Sequence, residues 1–328
     1  MRFVFRRLGF FLLTLWVALT LNFVLPRLMP GNPALAIIGK FRGGISPQAV
    51  KVLEAQFGVG THQNVLAQYF SYLGNVATLR FGVSLTTQPG ASVGRIILDA
   101  IPWTLGLVGV TTVLAFILGT GIGILAAWRR GGYLDSLMPP VFVIMTVIPY
   151  FWIGLVLILI FGVKLKLLPY FFSYTYSITP GFNLAFIGNV AEHAILPAFT
   201  LLITTIGIWI LTMRNTMITT LAEDYVRMAR AKGLPGHRIM LDYAARNAIL
   251  PNLTGFAMSL GFVVGGAILI EEVFNYQGVG YMLLQAVNND DYPLMQALFL
   301  LITVAVLLAI LISDLATAIL DPRTRGAG

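Results

Sequence analysis

The chain has 328 residues, 58% of them hydrophobic and only 10% charged, with a mean hydropathy of +0.86. Soluble domains carry about 25% charged residues, so this composition defines an integral membrane protein. The formal net charge of +8 is read first as a topology signal and not as a nucleic-acid footprint, and the absence of cysteine excludes disulfides, a thiolate nucleophile and Cys metal sites.

Arg2, Arg6 and Arg7 precede the apolar run Leu8 to Leu25. No A-x-A cleavage site follows, so a retained first span with a cytoplasmic N-terminus is expected within residues 1–29. Residues 30–95 are mixed in composition, with turns at Pro30-Gly31-Asn32-Pro33 and Gly43-Gly44 and a helical patch from Pro47 to Phe57. They are expected to form an external subdomain. A five-helix core then occupies 96–320. Its spans are expected at Trp103–Trp128, Met138–Val163 with a kink at Pro149, Ala194–Met213, Leu253–Ile270 and Leu294–Ile312. Arg129, Arg130 and Arg214 mark cytoplasmic ends, and the cytoplasmic tail 321–328 carries Arg323 and Arg325. The expectation is therefore an all-α integral membrane protein with six transmembrane helices and both termini inside.

The charge-dense segment within 216–251 is patterned as two helices. Thr220-Leu-Ala-Glu223 fits a capping box. Glu223, Arg227 and Arg230 share one face, and Val226, Ala229 and Gly233 share a small, uncharged one. Gly233 suits a left-handed helix end, and Pro235 the first turn of the next helix. In that helix Ile239, Met240, Tyr243 and Asn247 recur on one side, Asp242 precedes Arg246 by four residues, the favourable order for an ion pair, and Pro251 marks the end. A structured loop of this kind suggests a docking surface.

The stretch Tyr225-Val226-Arg227-Met228-Ala229-Arg230-Ala231-Lys232-Gly233-Leu234, continuing to Arg246-Asn247-Ala248-Ile249-Leu250-Pro251, resembles the coupling loop of ATP-binding-cassette importer permeases. More narrowly, it is similar to the dipeptide, oligopeptide and nickel permease family. The general motif begins Glu-Ala-Ala, places Gly four residues after the second Ala and ends Ile-x-Leu-Pro. Here Arg227-Met228 replace Glu-Ala, Ala229 and Gly233 match, and the run from Gly233 to Pro251 is longer, as in the peptide branch. The resemblance extends to Pro30-Gly31-Asn32-Pro33, to Glu272-Val273-Phe274 through Gly278-Val279-Gly280, and to Leu320-Asp321-Pro322-Arg323, and is weakest at 164–192.

That resemblance implies a permease subunit in the inner membrane of a prokaryote, forming half of a translocation pathway with a homologous second permease. Glu223, Tyr225, Arg227, Ala229, Arg230, Ala231, Lys232, Gly233, Leu234 and Arg238 would face two ATP-binding subunits, which carry ATP and Mg. A substrate-binding protein would deliver cargo outside. Oligopeptides or dipeptides are the implied cargo; oligosaccharides of the β-glucoside type and nickel are alternatives, and a secondary transporter or channel is a distant one.

No G-x-x-x-x-G-K-[ST] occurs, so the chain is not expected to be an ATPase itself. Gly119-Thr-Gly121-Ile-Gly123 lies inside an apolar span; Gly119 with Gly123, and Gly261 with Gly265, read as small-residue helix contacts and not as a dinucleotide site. His62, His193 and His237 form no ligand set, so no metal or cofactor is expected on the chain. Asn252-Leu-Thr254 sits at the start of a span, where glycosylation is physically excluded. Glu271, Glu272 and Asp314 lie near interfaces, and a structural role is expected for them. Tyr170, Phe171, Phe172, Tyr174 and Tyr176 form an external cluster, either an interfacial belt or a surface on which substrate or binding protein lands; aromatic faces stack on sugar rings.

Overall fold

The computed structural model describes residues 2–28 and 64–320. The expected turns at 30–33 and 43–44, the helical patch at 47–57, His62 and the tail from Asp321 lie outside them, as does the side chain of Asp314.

The architecture is all-helical among the described residues; the only pairing of extended backbone is an isolated bridge between Val83 and Ser92. Helix α1 (Arg2–Leu28) is followed by α2 (Val65–Ala77), whose start is capped by Asn64 accepting from the Leu66 amide at 3.2 Å. Helices α3 (Val93–Thr104) and α4 (Val110–Trp128) join through a π turn at Leu105–Gly109 into one 36-residue rod. Then come α5 (Tyr133–Val147), α6 (Tyr150–Leu157, extended as a π turn to Lys164) and α7 (Leu184–Leu221).

Among the described residues four helices are long and apolar enough to cross a bilayer: Arg6–Val24, Val93–Trp128, Leu184–Leu221 and Tyr292–Ser313. The expected third span is not one helix. It breaks at Ile148–Pro149, where Pro149 supplies no amide to the ladder, leaving α5 and a 15-residue apolar piece from Tyr150 to Lys164. The expected fourth span, Ala194–Met213, is longer than drawn: α7 runs 38 residues, about 57 Å. It begins inside the stretch expected to be external loop, where Asn183 caps it by accepting from the Phe186 amide at 2.8 Å.

Close approach of α4 and α7 organises the centre. A Cβ on Gly119 would sit 2.6 Å from Trp209 Cβ, and one on Gly123 would sit 2.7 Å from the Ile210 carbonyl oxygen. These glycines are the packing surface the sequence indicated, since backbones in lipid associate by contact and not by hydrophobic exclusion. Outward faces are apolar for the same reason: Leu12, Leu13 and Trp16 on α1, and Ile117 and Leu118 on α4, are exposed.

Helix α11 (Leu250–Phe262, tightening to Gly265) stops at Gly266, whose φ is +69°. The expected fifth span to Ile270 therefore ends early, and the chain folds back through α12 (Ile268–Val273) and α13 (Val279–Asn288) before the last helix, α14 (Tyr292–Leu320). This return packs Val279, Leu283 and Ala286 against Val93, Ile96, Ile97 and Ala100 of α3 and Leu294, Ala297 and Leu298 of α14. Buried Asp291 starts α14, accepting from the amides of Leu294 and Thr87 and from the Ser84 hydroxyl. One carboxylate thus caps a helix and ties down the loop before α3.

Candidate functional site

The charge-dense loop begins where α7 ends. Thr220 does not cap a new helix: it lies in the last turn of α7, and its hydroxyl donates back to the Thr216 carbonyl at 2.8 Å. The capping box expected at Thr220–Glu223 is thereby overturned, because inside a helix a threonine hydroxyl bonds the carbonyl four residues back and is turned away from the amides that follow it. Glu223 is the residue that starts α8 (Asp224–Ala231), without a side-chain cap.

Helix α8 divides as its sequence spacing indicates. Val226 and Ala229 are buried against Ile239, Trp128, Leu221 and Leu234, while Glu223, Tyr225, Arg227, Arg230, Ala231 and Lys232 are exposed. Gly233 takes φ +73° and closes the helix. Leu234 is half-buried beneath the turn, and Pro235 sits one position earlier than expected, preceding Gly236 and not within the helical turn. The second arm, α9 (Gly236–Arg238) and α10 (Arg246–Ala248), is bridged by a π turn over Ile239–Ala245. Asp242 lies within that π turn and Arg246 just beyond it, so the four-residue spacing of a regular helix does not hold between them, and the expected ion pair does not form.

The two arms are tied by one side-chain bond: Asn247 Nδ2 donates to the Tyr225 hydroxyl at 3.0 Å. Ala244, Ala245 and Ala248 pack on Ala127, Met213 and Met217, so the second arm rests on α4 and α7. Arg230 lies 6.0 Å from the Trp128 ring centroid. The outer surface then presents Tyr225 and Met228, 40% and 60% exposed, among Arg227, Arg230, Lys232 and Arg238. Met228 is thus left uncovered on a face that also carries four cations. The arm and α11 meet at 51°, and the arm alone of the two carries exposed charges, at Arg238, Asp242 and Arg246.

Beside the loop, Asp135 at the start of α5 accepts from Arg214 Nε at 2.5 Å and from the Gly131 amide at 2.8 Å. The Arg214 hydrogen bond, then the Gly131 amide, hold this carboxyl below its ordinary value. Neither residue's partner was legible, since the two lie 79 positions apart.

On the opposite face, Glu271 is fully buried. Its Oε1 accepts from Thr104 and its Oε2 from the Tyr281 amide. Burial pushes its carboxyl up, opposed by these bonds. Glycines 266, 278 and 280 surround the carboxylate so closely that a Cβ on any of them would meet its oxygens. The external aromatics fold onto this return: Tyr174 stacks on Trp103 at 5.6 Å, Tyr176 accepts from Gln277 Nε2, and the Phe172 amide donates to the Phe274 carbonyl. Tyr170 fits against Gly162, and His193 is shared between the Phe171 and Phe172 carbonyls and Thr175. Tyr176 and Phe171 keep about half their surface open. Among the described residues no three metal-capable side chains converge. Asn252 is buried with its Nδ2 donating to Thr120 and to the Trp209 carbonyl, out of reach of modification.

A bundle of apolar helices, broken spans packed at glycines and a rigid cationic hairpin define the membrane subunit of a transport machine. Residues 119–326 match the family described as binding-protein-dependent transport system inner membrane component. The chain is 35% identical to the di/tripeptide transport system permease protein DppB of Pseudomonas aeruginosa (strain UCBPP-PA14), over 98% of each chain. It is 32% identical to the oligopeptide transport system permease protein AppB of Bacillus subtilis (strain 168), over 92% of each, and 31% identical to the dipeptide transport system permease protein DppB of Escherichia coli (strain K12), over 99% of each. The chain belongs to this family, the permease subunits of ATP-binding-cassette importers.

Proposed function

We propose that the chain forms half of a peptide-translocating pore, crossing the inner membrane six times with both termini inside and pairing with a homologous second permease. Two ATP-binding subunits, holding ATP and Mg, engage the hairpin 224–248 through Tyr225, Arg227, Met228, Arg230, Lys232 and Arg238, and an external binding protein delivers the cargo. The observation that carries this reading is the seating of the hairpin: Val226, Ala229 and Ile239 lock onto Trp128 at the end of α4, and Ala244, Ala245 and Ala248 onto α7. A push on the exposed face is therefore passed to two long helices as a rigid displacement. Different contacts with the open and closed ATPase pair supply the coupling free energy.

Peptide is favoured as cargo by the names of the relatives, and the packing of Tyr174 and Tyr176 on Trp103 and Gln277 gives those rings a scaffolding task that needs no sugar. The test is uptake of labelled di- and tripeptides, a β-glucoside oligosaccharide and nickel in cells with and without the gene. Loss of peptide uptake alone supports the reading; loss of sugar or nickel uptake with peptide uptake intact overturns the cargo. Copurification of ATP-binding subunits in stoichiometric amount checks the machinery separately.

A further inference from the structure

Helix α2 has no place in the hairpin-to-pore reading, and its surface is unusual. Its 13 residues contain no charged side chain, and no Asp or Glu occurs from residue 55 to residue 98. Among the described residues it meets α1 at two tyrosines: Tyr69 and Tyr72 pack on Phe23, the Tyr69 hydroxyl bonds Thr20 Oγ1 at 2.8 Å, and Asn22 Nδ2 donates to the Tyr72 hydroxyl at 3.2 Å. Those α1 residues lie at the outer end of its apolar span, Arg6–Val24. These contacts seat the Tyr69–Tyr72 side of α2 against the last turn of that span.

The remaining circumference is sorted. At about 100° per residue, Leu66, Phe70, Gly74 and Ala77 fall within about 80° of one another, beside the α1-facing arc. Ser71, Asn75 and Gln68 occupy the opposite arc. Leu66 and Phe70 are 64% and 68% exposed, and α1 leaves Leu21 uncovered within the same apolar span that Tyr69 and Tyr72 touch. Arg80, exposed just beyond the helix, is the first cation after it.

We propose that α2 lies in the outer headgroup region of the bilayer, with Leu66 and Phe70 reaching the acyl boundary and Ser71 and Asn75 facing water. A lipid surface is the partner this face fits: an uncharged amphipathic helix binds by buried apolar area, and its tyrosines sit at the depth where one end is apolar and the other wet. Its role is to brace the outer end of α1 against tilting.

The chain has no cysteine, so single labels are placed directly. Leu66→Cys, Phe70→Cys, Ser71→Cys and Asn75→Cys, each nitroxide-labelled in the assembled transporter in liposomes, are compared for collision with oxygen and with a water-soluble nickel chelate. Retained substrate uptake shows that each variant is assembled. The expected result is oxygen collision at 66 and 70 exceeding that at 71 and 75 by about threefold, with the nickel ranking reversed. Equal nickel access at all four positions places the helix in water and overturns the proposal. Shielding of 66 and 70 from both reagents, meaning cover by protein, overturns it equally.

Discussion

The Thr104 hydroxyl donates to Glu271 Oε1 at 2.9 Å and accepts from the Val279 amide at 2.7 Å, joining the last turn of α3 to both limbs of the return that follows Gly266. A buried carboxylate here is tolerable because hydroxyl and amide donors replace its water.

Thr104→Val keeps the shape and removes the donor. It removes one donor from the buried Glu271 carboxylate and leaves the Val279 amide without its acceptor, and a buried orphan costs about 1–3 kcal/mol. Thermal unfolding of the purified complex is expected to drop by several degrees in Thr104→Val and to stay near the parent in Thr104→Ser. A parental melting temperature in the valine variant would show that the clasp does not hold the return.

Gly233 tests the hairpin as a lever. A Cβ there meets nothing within 4 Å, so a substitution is opposed only by the left-handed backbone at φ +73°. Gly233→Val should cost about 1–2 kcal/mol locally and shift the turn, whereas Gly233→Asn, which tolerates this conformation, should remain near parental. Transport and substrate-stimulated ATPase activity are expected to fall in the valine variant while membrane insertion persists. Parental values for both would count against the lever.

Much of this was legible because lipid imposes simple rules. Apolar runs located α1, α4 and α14, and the spacing of Val226 and Ala229 identified the buried side of α8. The errors share one origin: local signals were outcompeted by neighbours that the sequence does not order. Thr220 read as a cap because its partner Thr216 was expected to be outside a helix, and Asp242 read as paired with Arg246 because a π turn is invisible to a four-residue rule. Glu271 was marked only as an interfacial acid, since its donors lie at Thr104 and Tyr281. Asp291 could have been found: an acid just before Tyr292-Pro293 is a helix-start signal.

The Asp135–Arg214 pair supplies a pH dependence. The folded carboxyl titrates below its ordinary value of 3.8, so its contribution is complete above that value and is lost as pH falls through the lowered one. Asp135→Asn should cost about 2 kcal/mol at pH 7, between the values for exposed and fully buried pairs. The gap to the parent should close as pH is lowered towards 3. Melting curves of both proteins across that range decide the matter; a constant gap would mean that packing, not charge, is lost.

Three glycines on one helix make the sharpest comparison. Gly119 and Gly123 face α7, where an added Cβ would sit 2.6 Å from Trp209 Cβ and 2.7 Å from the Ile210 oxygen respectively, whereas Gly121 has nothing within 4 Å. Replacing Gly121 by Ala removes helix-disfavouring freedom at no steric cost, worth about 0.5–1 kcal/mol in favour of the helix. The same methyl at Gly119 or Gly123 must push α4 from α7, at about 1–3 kcal/mol each. Gly121→Ala is expected to melt at or above the parent, and Gly119→Ala and Gly123→Ala several degrees below it. If all three shifted alike, the close approach of α4 and α7 would not be what these glycines serve, because composition and helix propensity change identically in each.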